Sequence, residues 1–150
     1  MGESRTKLRR PEIADPARER EDWQQLLGEL VREVQAWLPE EWTSLAIEKT
    51  MEDSELGEYK AQALLMQRKF ARVLMEPITR FAPGADGVVD LYKMPAYDNI
   101  ASLYRIENEW RLNYAFPNSG PVAEIRGAES LPLDRTNFLR VLEEIAGHAA

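Results

Sequence analysis

Acid–base chemistry is the only kind this sequence supplies in quantity, and it would have to come from carboxylates and hydroxyls. The 150 residues contain no cysteine and a single histidine, His148. Thiolate nucleophiles, disulfides and zinc-thiolate sites are therefore excluded. His148 sits near the end of the chain, where side chains fray, and makes a poor general base. Adjacent carboxylates occur at Glu40/Glu41, Glu52/Asp53 and Glu143/Glu144. Sequence neighbours point in different directions on a helix or a strand, whereas general acid and base catalysis needs carboxyls that converge on one substrate. Asp86, Asp90 and Asp98 offer oxygen ligands of the kind magnesium or calcium takes. Their irregular spacing matches no binding loop, and loops rich in solvated aspartate have the same look. No glycines cluster ahead of a helix, so neither a phosphate loop nor a dinucleotide turn is present. The expectation is a non-catalytic protein with no metal and no cofactor.

What remains is binding, and the charge distribution says where. The net charge of −7 is uneven: residues 1–20 sum to +2, residues 61–150 to −1, and residues 21–60 to −8. Such a block attracts cationic surfaces and repels a phosphate backbone, which disfavours nucleic acid as a partner. Its core candidates are Glu40, Glu41, Glu48, Glu52, Asp53, Glu55 and Glu58, with Trp42 as an apolar anchor or a core residue. Trp110, Tyr114 and Phe116 could stack on bases, but they alternate along one face, the pattern of packing in a core. Tyr97 and Tyr104 read either as exposed recognition residues or as sheet packing. Residues 1–14 carry Arg5, Lys7, Arg9 and Arg10 with Pro11, and read as a mobile basic tail ahead of one domain spanning 15–150. No apolar run is long enough for a membrane span, and no apolar signal follows Met1, so a cytoplasmic protein with no membrane partner is expected.

The element that must position these acids is a helix that stops at Leu38-Pro39-Glu40-Glu41-Trp42. Trp23, Leu26, Leu27, Leu30, Val31, Val34, Trp37 and Leu38 follow helical spacing. Asp15-Pro16 is a start signal, and Pro39 ends the helix by disfavouring helical geometry in the residue before it. Thr43–Thr50 then alternates as a strand. Glu58–Met66 suits either a strand or a helix. From Gln67 a helical pattern places Phe70, Val73, Leu74, Ile78 and Phe81 on one side, with Pro77 kinking or ending it. Pro83–Gly87 is a loop, and Val88–Tyr92 a short apolar stretch. Ile100–Ile106 and the alternating Trp110–Phe116 form a hairpin, Val122–Arg126 an edge segment, and Asp134 caps a closing helix through Phe138, Leu139, Leu142 and Ile145.

Three stretches of this pattern resemble the YezG-type family of small immunity proteins, which neutralise toxins used in competition between bacteria. They are the helix ending in Leu38-Pro39-Glu40-Glu41-Trp42 with its extended sequel, the turn Asp53-Ser54-Glu55-Leu56-Gly57-Glu58-Tyr59, and Leu91-Tyr92-Lys93-Met94 leading through Ala101–Ile106 into Glu109–Asn118. The resemblance covers roughly Trp23 to Pro121. It implies that Tyr59–Leu65 is a strand and that the protein acts by binding, so it brings no catalytic residues. Pro77 in the intervening helix and the lack of glycine in the hairpin turn depart from the family pattern.

Together these readings predict an α+β fold, an antiparallel sheet of about four strands with N-terminal, central and C-terminal helices packed on it. The function expected is neutralisation of a bacterial toxin, such as a nuclease with a basic surface, by direct protein binding. An adaptor or assembly module using the same surface is the alternative, and a hydrolase or metal enzyme of unrecognised type comes third.

Overall fold

A computed structural model describes residues 14–115 and 129–147 of the chain. The first element, α1 (Pro16–Trp37), starts where the sequence signals it. Asp15 Oδ1 accepts from the Arg18 amide at 3.2 Å, and Pro16 occupies the first turn. It ends at Leu38, which is extended (ψ 131°) ahead of Pro39. Trp23, Leu27, Leu30, Val31 and Val34 are buried along one face, with Leu26, Trp37 and Leu38 packed at its margins.

Seven strands follow: β1 (Thr43–Asp53), β2 (Gly57–Arg68), β3 (Ala71–Thr79), β4 (Val88–Lys93), β5 (Ala101–Ile106), β6 (Glu109–Tyr114) and β7 (Glu129–Pro132). They form one antiparallel sheet in sequence order, closed by a last helix, α2 (Arg135–Gly147). Asp134 caps that helix, its Oδ1 accepting from the Asn137 amide at 2.8 Å. No described helix is long and apolar enough to cross a membrane.

The four-strand, three-helix expectation is therefore corrected: the described residues form seven strands and two helices. The central helix expected from Gln67 is β3. Phe70, assigned to its buried face, is fully exposed in the β2–β3 turn beside Lys69, which adopts a left-handed φ of 53°. Val73, Leu74 and Met75 are buried consecutively, which a strand in the interior of a sheet achieves by packing on both faces. Helical propensity lost to cross-strand pairing on either side. Pro77 does not kink a helix; it sits where the β3–β4 register shifts between Pro77 and Thr79, an irregularity that tolerates a missing amide donor. Glu58–Met66, open in the sequence, is strand. The basic tail, the segment Val122–Arg126 and Phe116 lie outside the described residues.

Both helices pack on one face of the sheet. Leu64 and Met66, Val73 and Met75, Val89 and Leu91, Ala101 and Leu103, and Leu112 and Tyr114 point to it, and join Trp23, Phe138, Leu142 and Ile145 in a single core. Along β2 the burial changes phase at Ala63-Leu64: Tyr59 and Ala61 are buried toward the hairpin end, Leu64 and Met66 toward the other. The hairpin end is only two strands wide, since β3 pairs with β2 from Leu64 onward, and two-stranded ribbons twist strongly. That twist lets α1 dock along the hairpin, with Gln24 Nε2 donating to the Lys60 carbonyl at 2.7 Å and Arg20 to that of Leu56.

Candidate functional site

The opposite face of the sheet carries no described helix, and its side chains divide into lateral rows fixed by the strand register. One row is apolar, running Leu45, Leu65, Leu74 and Tyr92 across β1 to β4. The next is polar, running Glu76, Asp90, Ser102, Asn113 and Ser130 across β3 to β7. Asp90, only 5% exposed, is the one buried charged residue among those described. Its Oδ1 accepts from Ser102 Oγ at 3.0 Å and its Oδ2 from the Tyr97 hydroxyl. Beside it, Glu76 accepts from the Tyr92 hydroxyl at 2.8 Å and from Lys49 Nζ at 3.2 Å. The two tyrosines meet edge to face with centroids 4.8 Å apart.

This network favours neutral phenols. The hydrogen bond to Asp90, with burial, pushes Tyr97 up to about 12. Burial and then the bond to Glu76 push Tyr92 up to about 12. Each carboxylate accepts from two donors, which cross-links β1, β3, β4, β5 and the loop carrying Tyr97. The arrangement fastens the loop after β4, with Tyr97 on it, onto the sheet. The period-two pattern Val88-Val89-Asp90-Leu91-Tyr92 contained the signal: an acid between apolar residues puts Asp90 and Tyr92 on one face and Val89 and Leu91 on the other.

The acidic candidates sit elsewhere, around β1. Glu40 and Glu41 are exposed in the turn after α1, Glu48 and Glu52 are exposed on β1, Glu55 lies in the β1–β2 turn and Glu58 opens β2. Asp53 has a structural duty, its Oδ1 accepting from the amides of Glu55 at 2.7 Å and Leu56 at 3.0 Å. Trp42 is 5% exposed and belongs to the core. The Arg68 guanidinium lies 4.6 Å over its ring and is held by both oxygens of Glu143, at 2.5 and 2.8 Å. That pairing keeps the Glu143 carboxyl below its usual range. Glu40 and Glu41 thus lie at one end of β1 and the turn acids at the other, roughly 30 Å apart at the strand rise of about 3.3 Å per residue, with Glu48 midway between them. Glu52 and Glu58 are direct cross-strand partners, and like charges in that position destabilise a sheet.

Asp86, Asp90 and Asp98 do not converge, and no three potential metal-ligating side chains do so among the described residues. Tyr97 is 57% exposed, while Tyr104 is half-buried between Val88 and Arg111 on the same face as Asp90. Tyr114 is buried with its hydroxyl donating to Asn99 Oδ1 at 3.1 Å, so it offers no stacking surface. A third feature that the sequence did not mark is an open cleft of about 280 Å³ beside α1, lined by Asp22, Glu29, Arg80, Asp86, Arg105 and Asn108. Its arginines rest on tryptophan rings, Arg80 over Trp23 and Arg105 over Trp110, each at 5.6 Å. No protein family, curated protein or solved structure matches the chain.

Proposed function

We propose that the protein acts by binding a cationic protein partner through the acidic β1–β2 hairpin, without catalysis. The observation that carries this reading is the uncompensated Glu52–Glu58 pair, exposed on adjacent strands with no ion pair to either carboxylate among the described residues. A sheet does not gain stability from such a pair, but a basic partner does, because the local negative field speeds its encounter and sets its orientation. Glu48, Glu55, Glu40 and Glu41 extend the field along the same hairpin. The finer assignment, neutralisation of a bacterial competition toxin such as a nuclease, rests on the resemblance of the helix, turn and late hairpin to YezG-type immunity proteins.

Two experiments test the two levels. Co-expression with the toxin-like domain encoded beside the gene, followed by co-purification through a salt gradient, should rescue host growth and yield a complex that weakens with salt. A harmless neighbour would end the toxin assignment and favour the adaptor reading. Substituting Glu58→Lys separates binding from folding: it should raise fold stability by about 0.5 kcal/mol by making an opposite-charge pair with Glu52, and slow association with the partner. Unchanged association kinetics would refute the hairpin as the docking surface.

A further inference from the structure

The two edges of the sheet are built very differently. One edge, β7, is four residues long and ends in Pro132. The other, β1, is eleven residues long, contains no proline, and keeps one unbroken register with β2 from Thr43↔Gln67 to Asp53↔Gly57. Residues 43 to 48 are exposed throughout, including Leu45 at 60% and Ile47 at 37%. Short edges, prolines, bulges and outward lysines are the usual means of blocking edge-to-edge pairing. Here the lysine on the strand, Lys49, turns inward across the sheet to Glu76 and the Pro77 carbonyl, 3.2 and 2.9 Å away. Among the described residues no strand pairs with this edge.

We infer that β1 pairs with β1 of a second copy, antiparallel about a two-fold axis at Ala46. The strand's own sequence selects this occupant. A two-fold perpendicular to the sheet keeps each face continuous, so odd residues must meet odd and even meet even. With Ala46 opposite Ala46, Leu45 faces Ile47 twice, Ser44 faces Glu48 and Thr43 faces Lys49. The exposed apolar side chains are thus covered by one another, next to Leu65 and Leu74 on the same face, and no like charges are opposed within residues 43 to 49. Moving the axis by one residue to Ile47 would set Leu45 against Lys49. The interface is isologous, and among the described residues the outer edges of the joined sheet are the two short β7 strands.

The dimer stands independently of what the protein binds, but it has a consequence for the acidic groups. Antiparallel pairing carries Glu40 and Glu41 of one copy toward the hairpin end of the other, alongside Glu52. Acids separated along one chain become neighbours across the two-fold, and their repulsion makes the dimer tighten as salt is added.

The absence of cysteine allows a clean test by cross-linking of the full chain. Paired Cα atoms across an antiparallel ladder lie about 4.5–5.5 Å apart, inside the range a disulfide spans. Under mild oxidation Ala46→Cys should give a disulfide-linked dimer, whereas Thr50→Cys, whose two copies would be roughly 27 Å apart in this register, should remain uncrosslinked. Sedimentation equilibrium of the wild type should give a Kd of about 1–100 µM, as suits a small interface, tightening from low to high salt. Leu45→Lys should weaken it at least about tenfold, with an unchanged circular dichroism spectrum. A wild type that stays monomeric throughout that range, or a dimer untouched by Leu45→Lys, overturns the inference. Equal cross-linking of Ala46→Cys and Thr50→Cys would overturn the register.

Discussion

Gly87 is where the structure makes its sharpest energetic claim. A Cβ added there would lie 2.6 and 2.8 Å from two carbons of the Trp23 ring, with Arg105 Cβ at a comfortable 3.6 Å. Ordinary contact begins near 3.4 Å, so Gly87→Ala overlaps the ring by roughly 0.6–0.8 Å. The ring has little freedom to retreat. It is 0% exposed, packs against Trp110 at 6.3 Å and is covered by Arg80. Overpacking of this kind costs about 1–3 kcal/mol, and two contacts on a rigid ring place Gly87→Ala at about 2–3. For a chain of this length that lowers Tm by roughly 4–12 °C. The double-mutant cycle with Trp23→Phe isolates the cause. Alone, Trp23→Phe leaves a void and costs a few kcal/mol. Combined, the alanine methyl occupies space the indole has vacated, so the pair should be less destabilised than the sum by at least about 1 kcal/mol. Urea denaturation of the four proteins measures this. Additivity within about 0.5 kcal/mol, or a neutral Gly87→Ala, would show that the Trp23 ring does not lie against the Gly87 backbone.

Two further perturbations follow from local geometry. The β5–β6 turn uses Glu107 and Asn108 at φ 51° and 66°, both left-handed, so replacing them with Asn-Gly should raise stability by about 0.5–1 kcal/mol; an unchanged or lower urea midpoint would contradict the turn geometry. The Tyr97–Asp90 bond should lose strength at alkaline pH. Because Tyr97 is raised from its ordinary 10 to about 12, its contribution is complete below pH 10 and disappears as pH climbs through 12. The stability difference between wild type and Tyr97→Phe should shrink across that interval, with a late-titrating tyrosine absent from the variant's ultraviolet titration. A difference independent of pH would remove Tyr97 from the network.

The N-terminal third of the fold was legible because its signals are local. Asp15-Pro16, the apolar stripe of α1 and Pro39 each act within a turn of where they stand. The late hairpin and the Asp134 cap were legible for the same reason. β3 was not, because Phe70, Val73, Leu74, Ile78 and Phe81 fit a helical stripe as well as a strand. What decides the matter is pairing with β2 and β4 on either side, which the apolar spacing within residues 67–81 does not encode. The alternation around Asp90 marks its face, but its partners are illegible on similar grounds: Lys49, Glu76, Tyr97 and Ser102 come from separate segments and meet only through register. The acidic block was visible as a sum of charges, but not as acids separated along the length of β1.

That separation changes where function should be sought. Sequences that specify a fold well are locally consistent, and the exceptions concentrate where something other than stability is served. In this chain two exceptions fall on a single hairpin. Glu52 opposes Glu58 on adjacent strands, where a lysine would be more stable. Leu45 and Ile47 are exposed on a long edge strand that lacks the usual protection. The carboxylates on the opposite face, by contrast, obey the rules, because Asp90 and Glu76 each accept from two donors. The same hairpin therefore carries the unpaired charge and the unpaired edge, and a partner of either kind gains from its neighbour. Dimerisation gathers the acids that a cationic protein would meet, and a bound cationic protein would neutralise the repulsion between the two copies. Binding the partner should accordingly tighten the dimer, and by linkage the dimer should bind it more tightly than the monomer does.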